Sequence, residues 1–336
     1  MDFRVLTRFS ELDPAEYGAL LKSGRAPVFY DPRLMLAAEQ TPLLPPERVF
    51  YIVARDAGGL QAFLPCYLLS AQQIDPFGLL KRTASVDLYE EGRGLFSHIA
   101  HCYESVLLVR AGRQDLLAPM LARFRDLALE LRVKRHGLVN VTDPVLMEVA
   151  ASNGYCVNYM LDRYSMSLEA ARPFDDYLLG LPREGRQELR RQLKKFLASD
   201  ARVSVVRPDQ EGLEALTPLV QETTARHGTP FYFPRSALLE FVRQCGALVW
   251  LVKVEHLRKW LGGFICLEEE STLHIWSGGF TYDAVDFSPY TIAFAEVYRH
   301  AVSRGFRRIE IGRLNARIKE RMGYLPVPMY SIISRA

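Results

Sequence analysis

No stretch of this 336-residue sequence holds the roughly 20 consecutive apolar residues that a membrane-spanning helix needs. The first residues, MDFRVLTRFSELD, carry charges where a secretory signal has its apolar centre. Cysteine is scarce: Cys66, Cys102, Cys156, Cys245 and Cys266 are odd in number and far apart. Such usage argues against a disulfide framework and for free thiols in a reducing compartment, so a cytoplasmic location is expected. No C-x-x-C pair is present for a structural zinc. His98 and His101 have H-x-x-H spacing but no adjacent acidic partner, so no metal is expected. There is no G-x-x-x-x-G-K-S/T loop for ATP-driven ligation, and no Ser-His-Asp or cysteine-nucleophile signature. The net charge is only +3, which does not mark the chain as a whole as a dedicated nucleic-acid binder.

What is there suits a globular protein. The sequence is 49% hydrophobic and 24% charged, and its length favours two domains of ordinary size. Residues 48–70 read as two strands around a turn at Ala57-Gly58-Gly59, and 106–110 as another strand. Residues 71–104 read as irregular. Apolar residues recur at helical spacing from Gln114 to Lys134, and 138–141 is a strand. Asp143-Pro144 opens a short helix ending near Asn153-Gly154. The second half runs helix 183–199, strand 202–206, helix 211–227, strands 247–254, 262–269 and 273–280, helix 289–304, strand 309–312 and strand 327–333. Ser288, Pro289 and Gly305 punctuate the 289–304 helix as N-cap, first residue and stop.

Each half thus shows a meander, a helix and a further strand. The expected class is α/β, in the α+β sense: two tandem domains, 1–170 and 171–336, each a mixed, mostly antiparallel sheet flanked by helices. The boundary is expected near Glu169-Ala170-Ala171-Arg172-Pro173.

Charge is concentrated locally. Arg183, Arg186, Arg190 and Lys194 fall on one face of a helix at spacings of three and four, and Arg191 and Lys195 widen that face. It would hold an RNA backbone or an acidic carrier protein through phosphate contacts, or would simply be a solvated amphipathic face.

The C-terminal segment LHIWSGGFTYDAVDFSPYTIAFAEVYRHAVSRGFRRIEIGRLNARIKERMGYLPVPMY resembles the closing part of the FemX/FemAB-like N-acyltransferases of the GNAT superfamily, many of which carry two GNAT domains in tandem. The likeness rests on the Trp-Ser-Gly-Gly strand end, the helix with Tyr298, the Gly305 turn, strand IEIG, and Lys319 to Gly323 followed by Pro326 and Tyr330. The basic run REGRQELRRQLKKF resembles that group too. The first half fits by element order alone.

The resemblance implies amide-bond formation from an activated carrier to an amine, with no tightly bound cofactor. The implied donor is aminoacyl-tRNA or acyl-CoA and the acceptor a small-molecule amine. It places Lys319 near the reacting carbonyl, where its charge would stabilise the oxyanion of a tetrahedral intermediate. Tyr282 would protonate a leaving group and Asp283 would orient the amine, unless the pair only forms a turn. His227 would be a general base beside the acceptor, unless it caps a helix end. Trp276, Ser288, Tyr290, Arg313 and Tyr232 are the further candidates for holding substrate or carrier. One departure matters. CoA-binding GNAT domains carry Arg/Gln-x-x-Gly-x-Gly/Ala before the helix, whereas here TYDAVDFSPY has no glycine loop, and Asp283 and Asp286 would repel phosphates. The first half offers only Arg110, Gly112 and Arg113. Aminoacyl-tRNA is therefore favoured over acyl-CoA or an acyl carrier protein. A non-catalytic binding protein on a degenerate GNAT scaffold is the reading from another class.

Overall fold

The computed structural model describes residues 1–24, 26–97, 101–168 and 173–334. Of the boundary expected at Glu169–Pro173 only Pro173 is among them, and His98 also lies outside. The chain forms two compact units, Met1–Leu161 with Pro328–Ala336, and Asp162–Val327.

The first unit opens with β1 (Asp2–Leu6), α1 (Pro14–Gly24) and α2 (Pro32–Gln40), where Asp31 accepts from Arg33 N and Pro32 takes the first helical position. β2 (Arg48–Asp56) and β3 (Gly59–Ser70) form the expected hairpin, with Gly59 at φ 89° supplying the turn that favours glycine. Three short helices follow: α3 (Ala71–Ile74), α4 (Leu79–Ala84) and α5 (Leu88–Glu91). Then come β4 (Arg93–Ser97), β5 (Leu108–Val109), α6 (Leu117–Glu130), β6 (Arg135–Val141) and α7 (Pro144–Ser152). The strand order is β1-β2-β3-β4-β6, with β5 off the path on β3. Every pair is antiparallel except the parallel β4–β6. The apolar stripe of α6 (Met120, Leu121, Phe124, Leu127) packs with Ile52, Leu64, Leu138 and Ile332. This is the period-3.6 face that its sequence predicts.

β7 (Tyr155–Ser167) begins in the first unit and ends in the second. The second unit continues with α8 (Phe174–Gly180), α9 (Arg183–Leu197), β8 (Arg202–Val206), α10 (Gln210–Arg226), α11 (Arg235–Cys245), β9 (Val249–His256), β10 (Lys259–Glu268) and β11 (Thr272–Phe280). It closes with α12 (Pro289–Ser303), β12 (Arg308–Ile311), α13 (Ala316–Arg321) and the start of β13 (Leu325–Ser334). The order is β8-β9-β10-β11-β12-β7, antiparallel throughout except for parallel β11–β12. Phe264, Cys266, Leu273 and Ile309 meet Ile292, Phe294, Val297 and Tyr298 of α12 in its core.

The architecture is the expected one: mixed, mostly antiparallel sheets flanked by helices. In each unit the last meander strand (β4 or β11) runs parallel to the strand that follows the crossover helix (β6 or β12). The neighbour beyond that strand breaks chain order. In the first unit it is β13, from the far end of the sequence, and in the second it is β7, from the first half.

All five cysteines are free, and of these Cys156 is exposed. Among the described residues no helix is long and apolar enough to cross a membrane, and no group of three or more His, Cys, Asp or Glu could hold a metal.

Candidate functional site in the second unit

β11 and β12 pair from Thr272↔Arg308 to Ile275↔Ile311. There β12 ends, while β11 runs on to Phe280 against β10. The two parallel strands therefore part beyond Ile275 and Ile311. α10 lies directly on the free part of β11. A Cβ on Gly279 would fall 2.1 Å from the Leu219 carbonyl carbon, so only glycine admits that helix. On the other side, Gly312 to Asn315 lead into α13, with Asn315 in the left-handed region at φ 60°, a conformation asparagine tolerates better than most residues.

Lys319 sits under that loop, 4% exposed. Its Nζ donates to the main-chain oxygens of Gly312 and Arg313, just past the end of β12. It also lies 5.1 Å from the centre of the Tyr164 ring, a cation–π distance. Burial, with Arg313 as the neighbouring like charge, lowers its pKa to about 7. The two carbonyls act the other way, because they accept from the charged form. Among the described residues no carboxylate pairs with it. A buried ammonium without a counter-anion is costly, and here the two carbonyls and the Tyr164 ring are what offset that cost.

Around it stand several of the sequence candidates. Arg313 Nη2 donates to the Tyr232 hydroxyl at 3.4 Å. Tyr232 packs on Phe233, Phe233 on Trp276 and Trp276 on Phe241, with ring centres 5.4–5.5 Å apart. Tyr290, at the start of α12, lies among Phe264, Phe280 and Phe294. Burial raises its phenol pKa, a side-chain hydrogen bond with Asn315 opposes the rise, and nearby Tyr282 adds to it. Tyr282 is 44% exposed. Its pKa is raised by partial burial and held back by Arg226, whose Nη2 donates to Phe280 O at 3.3 Å. Lys319, Arg313, Tyr232, Trp276, Tyr290 and Tyr282 are thus linked, directly or through one neighbour, around the parting strands.

The other candidates sit differently. Ser288 is a helix cap: its Oγ accepts from Thr291 N and Thr291 Oγ1, and its own N–H goes to Gln192 Oε1 at 2.7 Å. With Pro289 lacking an N–H, the α12 terminus offers few donors to a phosphate. Asp283 is exposed, in the loop between β11 and α12. Together with Lys195, Ser199, His256 and Asp286 it lines an open surface cavity of about 480 Å³. His227 is exposed at the C-terminal end of α10, where its main-chain N–H donates to Thr223 O and Thr224 O as the helix cap.

On α9, Arg183, Arg190 and Lys194 are exposed, while Arg186 donates to Leu179 O at 2.8 Å. Leu189 and Gln192 face inward. Gly185 lets α9 touch α13, since a Cβ there would lie 1.9 Å from Arg321 O. Arg321 in turn pairs with Glu184 at 2.7 Å. Lys319 is therefore carried on a short helix braced by the basic one.

Four contributors went unseen in the sequence reading: Tyr164, Asn315, Gln192 and Arg226. Gln192 had a signal, as an uncharged residue inside a basic run. Tyr164 had none, since a strand tyrosine looks like core.

Residues 183–320 match the family model described as an acetyltransferase (GNAT) domain. No curated protein sequence matches the chain at a significant level. Among solved structures, FemX superposes with a TM-score of 0.66 at 11% identity, over 98% of this chain and 97% of that one. L-PGS from Bacillus licheniformis gives 0.61 at 12%, over 96% and 93%. A tandem GNAT protein from the clavulanic acid biosynthesis pathway gives 0.57 at 12%, over 99% and 98%. At such identities the likeness is one of fold.

Proposed function

We propose, on the premise that residues 183–320 are a GNAT acyltransferase domain in a chain with the tandem GNAT fold of the FemX-like group, that this protein transfers an aminoacyl or acyl group from a carrier to an amine. The observation that carries the reading is Lys319: a buried ammonium, held by carbonyls and unpaired by any described carboxylate, at the point where β11 and β12 part.

The amine nitrogen attacks the carbonyl carbon of an ester or thioester. A C–N bond forms and the carbonyl oxygen becomes an oxyanion, which Lys319 stabilises from a partly dry site. The oxyanion collapses, the C–O or C–S bond breaks, and the amide remains. The proton lost by the amine leaves with the carrier's oxygen or sulfur, and partly exposed Tyr282 would hand it over. Asp283 and His227 stand on the exposed surface, where they would meet the acceptor rather than the reacting carbon.

Aminoacyl-tRNA is the favoured donor, in a cytoplasmic setting. The loop before α12 presents Asp283 and Asp286, and Ser288 and Pro289 close the helix end that would otherwise take a pyrophosphate. The basic face of α9 supplies phosphate contacts instead. Acyl-CoA or an acyl carrier protein is the second reading, supported by the acetyltransferase description of the matching family model. Incubating the purified protein with charged tRNA or acyl-CoA, each against a panel of amines, tests the reading through the amide product detected by mass spectrometry. Amide formed only from the tRNA ester supports the favoured donor, amide only from the thioester supports the second, and none from either refutes both.

A further inference from the structure

Arg313 is joined to its surroundings in two directions. Its main-chain oxygen accepts from Lys319 Nζ. Its guanidinium donates to the Tyr232 hydroxyl, and Tyr232 continues through Phe233 and Trp276 to Phe241 of α11, where the Trp276 and Phe241 rings stack at 20°. Arg313 thus joins this packed aromatic row to the ammonium. We infer that Arg313 is the positioning residue of Lys319: anchored on Tyr232, it fixes a carbonyl that orients the ammonium and keeps a like charge beside it. The catalytic meaning of this rests on the proposed role of Lys319; the positioning itself does not.

The charged and titratable groups on the neighbouring elements have partners of their own, and Arg313 is the like charge that acts on Lys319 after burial. From β7, Tyr164 presents its ring, and its hydroxyl donates to exposed Glu320 at 3.4 Å. From β12, Glu310 is buried but engaged by Arg163 and Ser165. From α9, Glu184 is matched by Arg321 of α13. From α12, Tyr290 reaches Asn315 and is neutral throughout the working range. The influences that hold Lys319 down are burial and then Arg313. Removing the guanidinium therefore raises the lysine's affinity for its proton, whereas loosening Tyr232 leaves the charge in place but free to move.

The test is an NMR titration of the Lys319 side chain in protein carrying ¹³C at the lysine Cε, its resonance assigned by its absence in Lys319→Arg. Arg313→Gln should move the titration midpoint up by about one pH unit. Arg313→Lys, which keeps the charge, should leave it near the wild-type value. Tyr232→Phe, nearly isosteric and least able to disturb folding, should move it up by less than Arg313→Gln. An unchanged midpoint in both Arg313→Gln and Tyr232→Phe overturns the inference. The pH–turnover profile separates this from the function. If the midpoint moves and the profile does not follow it, positioning stands and Lys319 is not the catalytic cation. If wild-type turnover tracks the Lys319 titration and the midpoint ignores Arg313, the catalytic reading stands and the positioning fails.

Discussion

At the scale of single residues, the sequence named Lys319 but not its surroundings. In RLNARIKER it is flanked by Arg313, Arg317 and Arg321 and reads as one more solvated cation. Burial comes from the β12–α13 loop folding over it and from Tyr164 on a strand far away in sequence, which no local pattern shows. That burial has a consequence for stability. The folded pKa, about 7, lies below that of a lysine in the unfolded chain, so between the two values the unfolded chain binds more protons and stability rises with pH. Below about pH 7 the full cost of the buried charge is present. Lys319→Met should then stabilise the fold by on the order of 2–4 kcal/mol near pH 6, with a smaller gain near pH 9. Urea unfolding at the two pH values checks this, and an equal gain at both would mean the ammonium is not strained by burial. Ser288 shows the converse: the sequence marks it both as a cap and as a ligand-binding residue, and the cap is visible in its hydroxyl oxygen, which accepts from Thr291 N and Oγ1.

Among the elements, punctuation made several legible, though not α2, whose Asp31 cap and Pro32 start went unread. The 48–70 hairpin has its glycine turn, and α12 has Ser288, Pro289 and Gly305 in place. Elements without such marks were missed. β4 lies in a stretch whose Gly, His and Tyr content looks irregular, β7 reads as a strand only in its last residues, YSMSL, and α13 has six residues, too few for a period to show. α9 was legible as a basic helix, and its charge is notable for the whole chain. Six Lys and Arg against two Glu give +4 within REGRQELRRQLKKFL, while the full chain is only +3, so the remainder is net negative. Reversing Arg183, Arg190 and Lys194 to Glu should abolish binding of a charged tRNA with the fold intact. Milder changes of the same three to Gln should reduce the slope of log affinity against log salt by roughly 2–3. Unchanged binding and slope would remove α9 from carrier recognition. Its brace on α13 is testable as well. Gly185→Ala sets a Cβ against Arg321 O, so it should cost about 1–3 kcal/mol and shift the Lys319 resonance; thermal melting with wild-type behaviour would show that the helices can part without strain.

For the molecule as a whole, the tandem order of meander, helix and strand was readable, because each half repeats it. The exchange of strands was not, since hydrophobic pattern says that a strand is buried and not which sheet receives it. The last residues of the chain complete the first unit: Met329, Ile332 and Ile333 are almost fully buried, and β13 pairs with β6. Ending the chain at Val327 removes burial worth on the order of 5–9 kcal/mol, comparable with the whole stability of a domain. Hydrogen exchange should then show lost protection in β6 and α6, and retained protection there would mean that the first unit stands without β13. The function proposed for the second unit depends on one ammonium in one place. The most direct measurement is the turnover of Lys319→Ala beside wild type, on whichever donor and amine yield an amide. One preorganised cation on an oxyanion contributes roughly 3–4 kcal/mol, so turnover should fall about a hundredfold or more, with Lys319→Arg recovering only part because its guanidinium is planar and bulkier. An alanine variant that is folded and fully active would contradict the account.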